Sequence, residues 1–173
     1  MITQERILTI VGAVLAVLLQ IILAPHIGLF GVVPNIIIAY TLVVAVTQPS
    51  LFSSVMPFVL GLFFDLFTGG PVGAMAFSLT AFSMGAALFL GHMNNDTKFM
   101  SVVALALGLV LTELSYGVFL LLFGFNAGLI EAIAYRVVPC FVYDLLVGLA
   151  LSPLAERFLK TNDMPLMGIA QLR

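Results

Sequence analysis

Residues 7–24 of the chain read ILTIVGAVLAVLLQIILA, a run without a single charged side chain. A helix needs about 20 mostly apolar residues to cross the roughly 30 Å of hydrocarbon in a bilayer. The run is too long for the apolar core of a signal peptide, and no small-x-small cleavage site follows it before further apolar runs begin. It therefore predicts a membrane span that the protein retains.

Five further apolar runs fill almost all of the remaining chain, at about 27–46, 51–67, 74–91, 99–123 and 130–151. Gly31, Pro34 and Asn35 interrupt the second run, so its regular helix is expected to start near Pro34 and to be short. Pro57 is expected to kink the third helix, and after Pro153 we expect a polar tail. The pattern predicts an all-α membrane protein in which residues 1–173 form one domain of six transmembrane helices.

Charged residues make up only 8% of the 173 residues, against about 25% in soluble domains, and the mean hydropathy is +1.24. Most of the charges stand between or beyond the apolar runs. No basic patch exists that could neutralise nucleic-acid phosphates, so nucleic-acid binding is excluded. The apolar residues must therefore meet lipid as well as one another.

The positive charges outside the spans predict the orientation. With six spans both termini share one side of the membrane, and all of these charges fall on that side: Arg6, Lys98, Arg157, Lys160 and Arg173. The opposite loops, near residues 25–33, 68–73 and 124–129, contain no Lys or Arg. Because short cytoplasmic loops carry the excess of Lys and Arg, both termini are expected in the cytoplasm.

Four ionisable residues lie inside the predicted spans: Asp65, Glu113, Arg136 and Asp144. Charges at membrane depth cost about 2.5–3.5 kcal/mol each, so they usually face the protein interior and pair. Counting about 1.5 Å of rise per residue places Asp65 and Arg136 at similar depths near the external surface, Glu113 nearer the middle and Asp144 in the inner half. Structural pairing is the favoured interpretation, and a proton or ion relay is the alternative.

Two arrangements are open for Asp65. Its carboxylate can accept hydrogen bonds from backbone N–H groups of the turn that follows, or from the start of the fourth span, where a helix N-terminus favours an anion. It can instead pair with Arg136 across the bundle. Either arrangement would hold the external ends of neighbouring spans together.

The remaining reactive side chains do not form a recognisable site. His26 and His92 lie in loops on opposite sides of the membrane, and the single cysteine, Cys140, lies inside an apolar run. No Ser-His-Asp set occurs at plausible depths, and the glycine-rich stretch 68–73 has no lysine to hold a phosphate. We therefore expect no catalytic, cofactor-binding or metal-binding residues, and a protein that is not an enzyme.

Small residues recur four positions apart on several predicted spans. Such faces let transmembrane helices approach closely, and internal packing is expected for most of them. The pairs and the one triplet are Gly12 and Ala16, Ala81 and Gly85, Ala104 with Gly108 and Thr112, and Gly148 and Ser152.

Residues 61–73, GLFFDLFTGGPVG, carry a resemblance to a known family. They resemble the G-x-x-x-D-x-x-[ST]-G-x-x-x-G signature of the MreD family of rod shape-determining proteins, whose positions fall on Gly61, Asp65, Thr68, Gly69 and Gly73. The run from Pro34 to Ile38 is similar to the opening of that family's second span, and the run from Pro139 to Leu154 to its last span. Asp144 departs from the family pattern, in which an uncharged polar residue is expected.

The resemblance implies a scaffold of the bacterial cell-elongation machinery that lies in the cytoplasmic membrane and makes no use of a cofactor. Its partner would be an MreC-like protein with one span, and through it the filament protein MreB, the polymerase RodA and a transpeptidase. The family's fold is also similar to the substrate-binding subunits of energy-coupling-factor vitamin transporters, so such a subunit is the alternative function. That alternative would need an outward-opening polar pocket, for which the external loops are short and uncharged.

Overall fold

The computed structural model describes residues 4–28, 32–49, 52–92, 98–124 and 138–159. Within these ranges the regular elements are six α-helices and one short 3-10 turn, Ala24–His26. The helices are α1 Gln4–Ile22, α2 Ile36–Thr47, α3 Val55–Thr68, α4 Ala74–His92, α5 Lys98–Leu122 and α6 Val138–Leu159. The predicted all-α fold with six helices is confirmed.

The six helices differ in length. Four segments are long and apolar enough to cross a membrane: one runs through α1 and the 3-10 turn after it, and the others lie in α4, α5 and α6. The other two helices are shorter, with 12 residues in α2 and 14 in α3. At 1.5 Å per residue, α2 is only about 18 Å long, as the interruption of the second apolar run predicts.

Helix α2 forms the centre of the bundle and contacts each of the other five helices. Ten of its 12 residues are buried, and Ile38, Leu42 and Val43 have no exposed surface. A helix that is apolar on every side belongs inside a protein rather than at its surface. The other helices therefore surround α2, and their outward faces carry large exposed apolar side chains suited to lipid.

The third helix starts later than the apolar run. Helix α3 begins at Val55, so Pro57 lies in its first turn. Backbone N–H groups in a first turn have no partner within the helix, and proline therefore removes no hydrogen bond there. Pro57 was expected inside the helix, and it lies instead at a position where proline is tolerated.

The sixth helix ends later than predicted. It continues through Pro153 to Leu159, although a polar tail was expected after Pro153. Pro153 cannot donate to the carbonyl of Leu149, and the Ser152 hydroxyl donates to that oxygen instead, at 2.9 Å. The predicted start of this span, residues 130–137, lies outside the described residues. At its far end Glu156 forms an exposed ion pair with Lys98 of α5, at 3.6 Å.

Candidate functional site

The turn between α3 and α4 is organised by Asp65, which is 1% exposed. Its Oδ2 atom accepts hydrogen bonds from the backbone N–H groups of Gly73 at 2.8 Å, Met75 at 3.2 Å and Ala76 at 3.3 Å. Its Oδ1 atom accepts a second bond from Met75, at 3.1 Å. The first N–H groups of a helix have no partner inside it, and a carboxylate there also opposes the positive end of the helix dipole. Asp65 of α3 therefore caps α4.

Glycines make this cap possible. A Cβ atom at Gly61 would lie 2.5 Å from the Cα of Ala76, so only glycine allows α3 and α4 to cross this closely. Gly69 and Gly73 have φ angles of +68° and +95°, which residues with a side chain rarely adopt. Together they reverse the chain and bring the start of α4 back to Asp65.

Thr68, the remaining signature residue, donates its hydroxyl to the Phe64 carbonyl in the last turn of α3, at 2.9 Å. The signature residues thus build one helical hairpin. They do not surround a substrate-sized space by themselves, and their geometry describes a structural unit.

A second helix N-terminus is capped inside the bundle, at the start of α2. The Asn35 N–H donates to Asp144 Oδ1 of α6 at 2.6 Å, and the Ile36 N–H donates to Gln20 Oε1 of α1 at 2.6 Å. Gln20 also donates to the Pro34 carbonyl at 3.2 Å, and Asn35 accepts from the Ile38 N–H at 3.4 Å. Irregular backbone at membrane depth is tolerated where protein groups satisfy it, and these side chains do so.

Asp144 and Glu113 meet between α6 and α5. Asp144 is completely buried and Glu113 is 6% exposed, and the two carboxyl groups interact electrostatically. The Oδ2 atom of Asp144 has no hydrogen bond of ordinary geometry among the described residues. Glu113 lies 15 positions after the start of α5, and Asp144 lies 15 positions before the end of α6. These two helix ends are joined by the Lys98–Glu156 pair, and 15 positions correspond to about 22 Å along a helix axis. Asp144 is therefore level with Glu113 along the bundle axis.

Arg136 lies outside the described residues, so the structure describes no contact between it and Asp65. The hydrogen bonds that it does describe for Asp65 are those of the capping arrangement.

A cavity of about 690 Å³ lies near this pair, between the ends of the helices that face the 68–73 turn. Its polar lining comes from the helices and from the segment before α2 rather than from charged external loops: Gln20, Asn35, Thr68, Glu113 and Tyr116. Apolar side chains, including Val17, Phe64 and Cys140, form most of the remaining wall. The sequence analysis judged a polar pocket only from the external loops, and it therefore did not anticipate polar side chains supplied by the helices.

Most of the small residues pack internally, as expected. Ala16, Ala104 and Thr112 are buried. An added Cβ at Gly12 would clash with the Tyr40 hydroxyl, one at Gly108 would lie 2.6 Å from a Leu42 methyl carbon, and one at Gly148 would lie 3.3 Å from a Leu105 methyl carbon.

The pair on α4 differs. Ala81 and Gly85 are exposed, and nothing lies within 4 Å of the Cβ position of Gly85. Here two small residues one helical turn apart face outward.

The other candidates have ordinary roles in the described structure. The ring nitrogens of His26 and His92 hydrogen-bond carbonyls in their own helical turns, at 2.7 and 2.8 Å. Cys140 is half-buried in α6. Among the described residues, no group of three or more His, Cys, Asp or Glu is placed to hold a metal ion.

Gln20 is the residue that sequence reasoning missed. Its signal was present, since it is the only amide side chain in the run 7–24 and a polar group in a span tends to have a specific partner.

Comparison with known proteins identifies a family. A family model described as rod shape-determining protein MreD matches residues 1–162 of the 173-residue chain. No curated protein and no solved structure matches the chain.

Proposed function

This chain belongs to the MreD family of rod shape-determining proteins, and we propose that it is a non-enzymatic scaffold of the bacterial cell-elongation machinery. In this role it lies in the cytoplasmic membrane as one six-span domain and binds an MreC-like bitopic protein through its transmembrane helices. That contact connects it to the MreB, RodA and transpeptidase assembly. The family match over residues 1–162 is the observation that carries the proposal.

The use of the buried polar side chains supports a scaffold. Asp65 and Asp144 accept hydrogen bonds from the backbone at the starts of α4 and α2, and Gln20 does the same for α2. Groups engaged in this way hold helices in fixed positions. The outward faces are largely apolar, so contacts with another membrane protein would be made through helix packing.

The outward pair Ala81 and Gly85 supports helix packing with a partner. Small residues four apart let two backbones approach closely in lipid, and this pair is open in the described structure. Gly85→Leu should therefore reduce recovery of the partner helix. Ala150→Leu, at an exposed small residue of α6, is the matched control for added bulk.

The orientation belongs to the same proposal. Arg6, Arg157 and the Lys98–Glu156 pair lie at helix ends on one side, and the excess of positive charge favours the cytoplasm for that side.

The deciding experiment is affinity purification of the chain in mild detergent from a rod-shaped host, together with its depletion. The scaffold proposal expects an MreC-like protein in the purified complex and rounded cells on depletion. Tight, saturable vitamin binding by the purified chain, with normal cell shape on depletion and no such partner, would contradict it.

A further inference from the structure

Helices α1 and α3 both pack against α2 and leave an apolar groove between them, on the outside of the bundle. The groove has a volume of about 630 Å³. Its floor is formed by the buried side chains of Ala13, Val44 and Leu60. This groove shares Val17 with the cavity beside Glu113 and otherwise has a different lining, which includes no residue of either helix cap.

Exposed side chains form the two walls of the groove. Ile10 and Val14 of α1 are each 56% exposed, and on α3 Val59 and Phe63 are 42% and 44% exposed. These positions repeat every four residues, so each wall is one face of a helix. The groove therefore has largely apolar sides over about three helical turns of α1 and two of α3.

One end of the groove is polar and positively charged. Arg6 is exposed there, at the start of α1, and Ser53 is exposed just before α3. The Ser53 hydroxyl oxygen accepts a hydrogen bond from the Val55 N–H at 3.4 Å, which leaves its own proton for another acceptor. A guanidinium and a hydroxyl at the mouth of an apolar groove match an anionic headgroup that continues into a hydrocarbon chain.

The length of the groove fits one leaflet of a bilayer. From Arg6 to Leu18, the lining residues of α1 span 12 positions, or about 18 Å. Half of a hydrocarbon core of roughly 30 Å is about 15 Å. A transmembrane partner helix would cross both leaflets, whereas a phospholipid chain ends near the middle.

We propose that the groove between α1 and α3 binds one anionic phospholipid, with an acyl chain along the groove and its phosphate at Arg6 and Ser53. Basic pockets between transmembrane helices bind anionic lipid headgroups in this way. The site lies at the N-terminal end of α1, in the leaflet that the proposed orientation assigns to the cytoplasmic side. It does not depend on the scaffold function.

The chain contains no tryptophan, so one introduced tryptophan reports on one place. Val59→Trp places it in the groove, four residues from the start of α3. Leu88→Trp is the matched control, since Leu88 is 57% exposed on α4 and lies four residues from the end of that helix. Each variant is reconstituted alone in phosphatidylcholine containing increasing dibrominated phosphatidylglycerol, and quenching of fluorescence gives the relative binding constant of the two lipids.

We expect phosphatidylglycerol to be preferred about fivefold at position 59, the factor that one interfacial arginine contributes, and to show no preference at position 88. Arg6→Gln in the Val59→Trp background should remove the preference while quenching by brominated phosphatidylcholine persists. Arg157→Gln, which removes an exposed cation outside the groove, should leave it unchanged. Equal relative binding constants at positions 59 and 88, or a preference for phosphatidylglycerol that survives Arg6→Gln, would overturn the proposal. The same holds if no lipid quenches a Val59→Trp protein whose helical circular dichroism is intact, since the groove would then be closed to lipid.

Discussion

The Oδ1 atom of Asp144 accepts a 2.6 Å hydrogen bond from the backbone N–H of Asn35, which lies 109 positions earlier in the chain. Asp65 does the same for α4, through the N–H groups of Gly73, Met75 and Ala76. Two helices of the bundle are thus each capped by a carboxylate from a different helix. Because both capping carboxylates are buried, they join separate spans through hydrogen bonds inside the bundle.

Asp144→Asn should fold as well as the native chain or better. An asparagine carbonyl can still accept the Asn35 N–H, and the change removes one of the two acidic groups that interact between α5 and α6. Asp144→Leu has no acceptor and should lower the free energy of unfolding by roughly 1–3 kcal/mol, the cost of one buried unsatisfied group. Thermal unfolding in detergent, followed by size-exclusion chromatography, measures the stability of both variants. Equal stability of the leucine and asparagine variants would show that the hydrogen bond contributes little.

Asp65→Ala should reduce the amount of folded protein and its partner binding together, because three backbone N–H groups lose their acceptor. The expected loss is roughly 3 kcal/mol or more. Asp65→Asn, which keeps one carbonyl oxygen, should be intermediate. Abundance in membranes and recovery of the partner measure the effect. If Asp65→Ala leaves both intact while abolishing function, Asp65 acts in a relay rather than in a cap.

Arg136→Ala distinguishes the two arrangements of Asp65. For a cap, the losses caused by Asp65→Ala and Arg136→Ala should add in the double variant, since they remove independent interactions. For an ion pair, the double variant should be less harmful than the sum, because neither charge is left unpaired.

Gly61→Ala should weaken the α3–α4 hairpin. The new Cβ would lie 2.5 Å from the Ala76 Cα, a backbone atom that cannot move without separating the helices. We expect a loss of roughly 1–3 kcal/mol, as for other overpacked sites. Gly85→Ala on α4 is the control, because that Cβ has nothing within 4 Å and alanine favours a helix. Apparent melting temperatures of the two variants should therefore move in opposite directions. A Gly61→Ala protein as stable as the native chain would show that the crossing is looser than described.

Cysteine labelling should place both the 94–97 loop and the region after Lys160 in the cytoplasm, because the positive charges outside the spans lie on that side. The native Cys140 is first replaced by alanine, so that each introduced cysteine is the only one. Membrane-impermeant maleimide applied to intact cells should label neither position, and should label both after permeabilisation. Labelling of either position in intact cells would exclude the proposed orientation.

Six helices could be predicted from the order of residues because hydropathy and length are local properties. The same holds for the Gly61–Gly73 hairpin, whose cap joins residues only 8 to 11 positions apart. The effect of each proline on its helix was harder to predict from the sequence. The effect of Pro57 depends on where α3 begins, because proline is tolerated in a first turn. The effect of Pro153 depends on the Ser152 hydroxyl, which donates to the Leu149 carbonyl that a proline leaves without a backbone donor.

The sequence by itself indicated a membrane protein, since several runs such as 7–24 are long and apolar enough to cross a bilayer. It also determined the start of α2, where Pro34 and Asn35 interrupt the apolar pattern. Only the tertiary structure decided that α2 lies at the centre, and that Gln20 and Asp144 satisfy its first N–H groups. Hydropathy is nearly the same for burial in protein and burial in lipid, so composition cannot separate the two. The hydrogen bonds from Ile36 to Gln20 and from Asn35 to Asp144 join residues 16 and 109 positions apart. They depend on how the helices pack, which a local sequence pattern does not specify.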